Sequence, residues 1–284
     1  MKRVSYFGPE HTNTHAAALQ VFGSSAYFHP ETTKTAVFDA VEDLRAEVGI
    51  VPIENSTEGV VRETLDALIR RRPMIFREFE MNISHCLMAL PASAKKSPTR
   101  IVSHPQPLAQ CRHYLAHHYP QVPCQSAIST ASAAKIAAES PGTFAIATEA
   151  AAQACGLSLV ATSIADRPDN ATRFVCIALH DGEPSGQDKT SLVFSARHQR
   201  GGLLRVLSIF DQAGVNLTRI ESRPRGDRMW EYDFVVDLQG HRLLSPVREA
   251  VKELKAKGAL RKMLGSYARV EGNAEHSPLS ERAP

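Results

Sequence analysis

Asn170, Thr172 and Arg173 stand within four residues of one another in Asp169-Asn170-Ala171-Thr172-Arg173-Phe174, directly ahead of the apolar run Val175-Cys176-Ile177-Ala178-Leu179. An amide, a hydroxyl and a guanidinium at the mouth of a buried strand aim several hydrogen-bond donors at one spot, which suits the holding of an anion. Taken alone, the hexapeptide also fits a plainer role, with Asn170 and Thr172 shaping a turn and Arg173 pairing with a nearby carboxylate. Three more polar loops follow apolar runs: Gly8-Pro9-Glu10-His11-Thr12, Glu54-Asn55-Ser56-Thr57-Glu58-Gly59 and His104-Pro105-Gln106. Helix N-termini with free N–H groups favour anions at such places. Each loop also reads as an ordinary helix cap, as do Ser56 or Thr57 ahead of Val60 and the pair Ser129-Thr130.

The elements that must position these loops alternate between short β-like runs and helical segments from Val4 to Leu179. Strands are predicted at Arg3–Phe7, Glu47–Ile53, Arg100–Ser103, Val122–Ser126 and Phe144–Ala147. Helices are predicted from about Thr12 to Phe22, over Val60–Arg71 with the stripe Val61, Leu65, Leu68 and Ile69, from Pro105 to about His118, and over Ser129–Ala138. Such alternation implies a mostly parallel α/β sheet, in which ligands sit beyond the carboxyl ends of strands, often in a cleft between lobes.

The chain has 284 residues, room for roughly two domains, and 43% of them are hydrophobic. The net charge of +3 with both signs interspersed gives no basic stripe for nucleic acid and no cationic face for a membrane surface. The Met1–Pro9 start is expected to be a strand and turn, not a signal peptide, and no apolar run approaches the ~18–20 residues of a membrane span. Five scattered cysteines with no C-x-x-C pair argue against a disulfide framework or a zinc site and suit a reducing, cytoplasmic setting. His11 and His15 have i, i+4 spacing but lack a third ligand, so no metal site is expected.

Val51-Pro52-Ile53-Glu54-Asn55-Ser56-x-x-Gly59-x-Val61, Ser103-His104-Pro105-Gln106-x-x-x-Gln110-Cys111, Ser129-Thr130 and Asn170-x-Thr172-Arg173-Phe174, in that order, resemble the signature blocks of the prephenate dehydratase family. The resemblance covers residues 1–179 and implies a two-lobed α/β catalytic domain similar in shape to periplasmic ligand-binding proteins, with the active site between the lobes. The turn-rich stretch 180–189 reads as a linker. Beyond it, strands at Thr190–Ala196, Val215–Ser222, Trp230–Leu238 and near Tyr267–Val270, with helices at Leu203–Ala213 and Pro246–Lys257, give a ferredoxin-like βαββαβ order over 190–270. A tail from 271 to 284 is expected to be disordered.

Gly201-Gly202-Leu203, Gly214-Val215-Asn216-Leu217 and Ile220-Glu221-Ser222-Arg223-Pro224 resemble segments of the regulatory ACT domain that follows the catalytic domain in this family. The resemblance implies phenylalanine binding by Gly201, Gly202, Leu203, Asn216, Leu217, Glu221, Ser222, Arg223 and Pro224, at an interface between two such domains in a homodimer or homotetramer. Gly202 replaces the alanine of the family's G-A-L, a swap expected to loosen the pocket by one methyl.

The family reaction expels carbon dioxide and water together from prephenate to leave phenylpyruvate, and aromatisation drives it without a cofactor. Carried over, Thr172 is the catalytic donor to the leaving hydroxyl. Asn55, Ser56, Ser103, Gln106, Thr130, Asn170 and Phe174 are candidate substrate contacts, and Arg173 either holds the pyruvyl carboxylate or serves as scaffolding. The first loop departs from the family's G-P-x-G-T-F-S: His11 replaces a glycine and Asn13 an aromatic, which bears on the choice between prephenate and its amino counterpart arogenate. Further alternatives are a prephenate decarboxylase that keeps the hydroxyl and a catalytically inactive amino-acid sensor.

Overall fold

The computed structural model describes residues 1–167, 169–225 and 230–269, so the expected tail from 271 to 284 lies outside the described residues. The first lobe comprises β1 (Arg3–Phe7), α1 (Asn13–Phe22), β2 (Tyr27–Glu31), α2 (Lys34–Glu42), β3 (Val48–Asn55), β4 (Gly59–Val60), α3 (Arg62–Arg70) and β5 (Met74–Asn82). The second comprises β6 (Cys86–Ala89), β7 (Arg100–Ser103), α4 (Pro105–Gln110), α5 (Arg112–His118), β8 (Cys124–Ser126), α6 (Thr130–Glu139), β9 (Thr143–Ala147), α7 (Glu149–Ala154) and β10 (Ser158–Ala161). The chain then returns to the first lobe as β11 (Ala171–Ala178).

Strands in the first lobe lie in the order β2-β1-β3-β11-β5, and those of the second in the order β10-β6-β9-β7-β8. The expected mostly parallel sheet is corrected to two mixed sheets. β1, β2 and β3 are parallel, as are β7, β8 and β9, but β11 runs against both its neighbours and so does β6. These are the strands that follow the two crossings between lobes, and each runs against the strands on both sides of it. Side chains close the helix starts: Thr12, Thr33 and Thr148 cap α1, α2 and α7, and Ser129 and Ser132 form a reciprocal capping box on α6. The single helix expected from Pro105 to His118 is broken at Cys111, with the His104 ring capping its first half.

A third unit follows: β12 (Asp188–Ser195), α8 (Gly202–Gln212), β13 (Leu217–Pro224), β14 (Tyr232–Gln239), α9 (Val247–Ala256) and β15 (Leu260–Ala268), an antiparallel sheet in the order β13-β14-β12-β15. The last strand begins at Leu260, well ahead of the predicted Tyr267. Period-two alternation gives this sheet two apolar faces. Leu192, Phe194, Val236 and Leu238 pack under α8 and α9, while Val193, Val235, Leu264 and Tyr267 join the core of the first lobe with Leu68 and Ile75. Gly265, at φ +139°, allows that approach, since a Cβ there would run into the Ile75 carbonyl oxygen. The stretch expected to be a linker is held in place: the Gly182 N–H donates to Ser266 O at 2.7 Å, and Asp188 accepts from Ser185.

Candidate active site

β3 and β11 are antiparallel neighbours in which Thr172 faces Asn55 and Arg173 faces Glu54. Because side chains alternate along a strand, this register sends Asn55 and Thr172 to one face and Glu54 and Arg173 to the other. The first face opens on a cleft of about 620 Å³ between the lobes. Asn55, Gln106, Thr130, Asn170, Thr172 and Phe174 all line it, and Phe174 stacks on Phe79 with ring centroids 5.5 Å apart.

The polar groups at the cleft floor fix one another's roles. Asn55 Oδ1 accepts from the Thr57 and Glu58 N–H groups and from Thr57 Oγ1, at 3.0, 3.2 and 2.6 Å. Its Nδ2 is therefore the donor end, and it reaches Asn170 Oδ1 and Thr172 Oγ1, both at 2.9 Å. Thr172 Oγ1 is occupied as an acceptor, which leaves its own O–H to donate into the cleft. Asn170 Nδ2 donates to Gln110 Oε1 at 3.2 Å, and Gln110 Nε2 donates to Thr57 Oγ1 at 3.0 Å, tying α4 of the second lobe to the β3–β4 turn of the first.

His85, at the first crossing, lies 2.8 Å from Gln110 Oε1 through Nε2. Gln110 Oε1 only accepts, so His85 carries its proton on Nε2. Burial pushes the His85 pKa down, against a smaller upward effect of the Gln110 hydrogen bond, so the ring is neutral near pH 7.

Ser56, Ser103 and Arg173, expected at the substrate, are absent from the cleft lining. Ser56 Oγ donates to Asp169 O at 3.2 Å and accepts from Ala171 N–H at 3.0 Å, pinning the turn that precedes Thr172. Ser103 is fully buried, its hydroxyl donating to Ile146 O at 2.6 Å between β7 and β9.

Arg173 points to the opposite face. It pairs with Glu54, with Glu78 at 3.1 Å and with Asp237 of β14 at 3.5 Å. Lys189 of β12 meets Glu78 at 2.5 Å, and Arg219 of β13 meets Asp237 at 3.0 Å. Burial would raise the Asp237 pKa, but Arg219 and Arg173 hold its carboxyl below the usual range. The residue after the cleft-facing threonine thus binds the first lobe to the C-terminal unit.

The cleft lining also contains Thr12 and Asn13 of the first loop, together with Thr32, Lys34 and His85, which the sequence blocks did not supply. Lys34 is hidden in the sequence because β2, Tyr-Phe-His-Pro-Glu, lacks alternation and carries a proline, so nothing local marks the loop after it as the end of a strand. His11 is outside the lining. At φ +64° it holds the left-handed turn where the family has glycine, its N–H donates to His15 Nδ1 at 3.0 Å, and its carbonyl accepts from Thr148 Oγ1 at 3.0 Å. Asn13 is the altered first-loop residue that borders the cleft.

In the C-terminal unit, Gly201 (φ +70°), Gly202 and Leu203 start α8, and Gly202 borders a cavity of about 1120 Å³ with the Arg197–Gln199 loop and Arg205. A Cβ at Gly202 would run into the Arg197 carbonyl oxygen. The Arg197 carbonyl thus occupies the space an alanine methyl would need, so the glycine leaves no methyl-sized gap at this point, which corrects the loosening expected there from sequence. Glu221, Ser222, Arg223 and Pro224 lie on β13, an edge strand, with Arg223 bonded to Asp66 of α3 at 2.6 Å. Asn216 and Leu217 lie at the far end of α8 from Gly201–Leu203, about 16 Å away by helix rise.

Residues 4–182 match the family model described as prephenate dehydratase, and residues 190–256 match the ACT domain. Over 266 residues the chain is 43% identical to the bifunctional chorismate mutase/prephenate dehydratase of Aquifex aeolicus, covering 93% of this chain and 73% of that protein. The solved prephenate dehydratase of Arthrobacter aurescens in complex with L-Phe is 35% identical, with a TM-score of 0.86 over 94% of this chain and 90% of that one. A solved structure named GqqA, called a novel type of quorum quenching acylase, is 27% identical with a TM-score of 0.84, covering 95% and 98% of the two chains. Domain order, cleft and sequence agree: this chain belongs to the prephenate dehydratase family, with an ACT domain following the dehydratase domain.

Proposed function

We propose that this chain converts prephenate to phenylpyruvate, carbon dioxide and water, as a prephenate dehydratase that phenylalanine restrains through the ACT domain. The observation that carries the reading is the Thr172 hydroxyl, fixed as acceptor of Asn55 Nδ2 and so free to donate into a cleft whose described lining contains no Asp or Glu. The ring carboxylate leaves as carbon dioxide and its bonding pair enters the ring. The hydroxyl on the opposite ring carbon departs with a proton as water. A threonine hydroxyl is too weak an acid to be the ultimate proton source, so Thr172 donates a placed hydrogen bond or relays a proton, an effect worth ~10²–10³ in rate. Asn55, Asn170, Gln106 and Thr130 are assigned to substrate contacts.

The phenylalanine site is assigned to a homodimer or homotetramer. Gly201–Leu203 and Asn216–Leu217 stand at opposite ends of α8, too far apart to grip one amino acid within a single copy. Edge strand β13, with Ile220 and Ser222 exposed, is the natural pairing surface for a second copy. The five cysteines are all free, which suits a cytoplasmic enzyme.

Purified protein with prephenate at neutral pH, with and without phenylalanine, tests the reading. Phenylpyruvate that phenylalanine suppresses supports it. Untouched prephenate, or carbon dioxide without an aromatic product, would refute it, and activity only on N-acyl substrates would favour an acylase such as the GqqA relative.

A further inference from the structure

With Arg173 committed to the ACT interface, the cleft needs another cation for a dianionic substrate. Among the described residues lining the cleft, Lys34 is the one lysine or arginine, and His85 and His104 are the only other titratable groups. Lys34 occupies the first position of α2, where the helix dipole disfavours a cation by ~0.3–1 kcal/mol, so helix energetics do not explain it. Its ammonium is held over the Phe7 ring, 4.1 Å from the centroid, and 3.0 Å from Glu63 of α3. The Lys34 side chain is 18% exposed and Glu63 is 44% exposed, so the ammonium sits at the cleft wall while its partner faces solvent.

We infer that Lys34 binds the carboxylate of the substrate's 2-oxo acid side chain and sets the preference for that dianion over an amino acid zwitterion. This rests on the reaction proposed above. A cation fixed on the departing ring carboxylate would stabilise the ground state and oppose loss of carbon dioxide, so the ammonium belongs at the carboxylate that is kept. In arogenate the carbon beside that carboxylate bears an ammonium, which Lys34 repels. Glu63 competes with the substrate for the same ammonium and tempers the affinity.

Steady-state kinetics on prephenate and arogenate with the wild type, Lys34→Met, Lys34→Arg and Glu63→Gln test this. A charge-assisted hydrogen bond is worth about a tenfold to hundredfold in binding. Lys34→Met should raise KM for prephenate by about that factor with kcat within about threefold, and should narrow the preference for prephenate over arogenate. Lys34→Arg should restore the low KM, and Glu63→Gln should lower KM below wild type. A Lys34→Met KM within about twofold of wild type, alongside equal loss of thermal stability in Lys34→Met and Glu63→Gln, would reduce Lys34 to a surface ion pair and overturn the inference. Wild-type protein that makes no phenylpyruvate would instead overturn the reaction itself.

Discussion

Thr172 and Arg173 are neighbours in the chain and serve opposite sides of one sheet: Thr172 Oγ1 meets Asn55 in the cleft, while the Arg173 guanidinium meets Glu78 and Asp237 beneath the ACT domain. Two adjacent polar residues in one motif thus carry separable duties. Thr172→Ala should lower turnover at least ~10²-fold while leaving phenylalanine binding and the melting temperature close to wild type. Prephenate turnover near the wild-type rate would remove Thr172 from the reaction.

Asn55 offers a sharper test of the same geometry. Asn55→Asp keeps the shape and the Oδ1 contacts but replaces the donor with a carboxylate, so the Thr172 O–H would turn to it and away from the cleft. The turnover of Asn55→Asp should therefore fall about as far as that of Thr172→Ala, and the double variant should be little worse than either single one. Fully additive losses would mean that Asn55 acts on the substrate independently of Thr172.

Arg173→Ala should act on stability. Glu78 and Asp237 are each 3% exposed as side chains, and removing the guanidinium leaves both short of positive charge. Lys189 and Arg219 remain beside them, which holds the cost toward the lower end for a broken buried pair, about 3 kcal/mol. Urea unfolding should show that loss. A stability change below about 1 kcal/mol would mean that the interdomain cluster contributes little.

The motif blocks located the cleft because each lies at a strand end or a helix start, where polar residues stand out against apolar runs. What they could not give was direction. Ser56 and Ser103 have the same chemistry as Thr130, but their hydroxyls are spent on backbone carbonyls, and Arg173 faces away by a single step of strand alternation. Such facts depend on register, which pairs residues more than a hundred positions apart, as Asn55 with Thr172. The mixed sheets were equally hidden, since nothing local marks β6 and β11 as strands that arrive from the other lobe. The βαββαβ order of the C-terminal unit was legible because its amphipathic helices and alternating strands are local patterns.

Neutral His85 links pH to both folding and activity. Its folded-state pKa lies below the ordinary 6.5 because of burial, so the folded protein binds fewer protons than the unfolded chain as pH falls through that window. The stabilising effect is complete above 6.5 and is lost progressively below it. Urea midpoints and kcat/KM should decline together on acidification, and His85→Gln should flatten the stability slope. An unchanged slope in that variant would assign the acid sensitivity to other groups.

Gly202→Ala restores the family's usual residue at a position with no room for its methyl. The added Cβ meets the Arg197 carbonyl oxygen, which is itself held as the acceptor of the Gln199 N–H at 2.8 Å. The loop must shift or the helix start must unwind, a cost of about 1–3 kcal/mol of the kind seen for overpacked sites. Urea unfolding should register that loss, and calorimetric titration should find phenylalanine binding weaker than in the wild type. Tighter binding with unchanged stability would show instead that the loop yields readily and that the glycine had left the effector pocket loose.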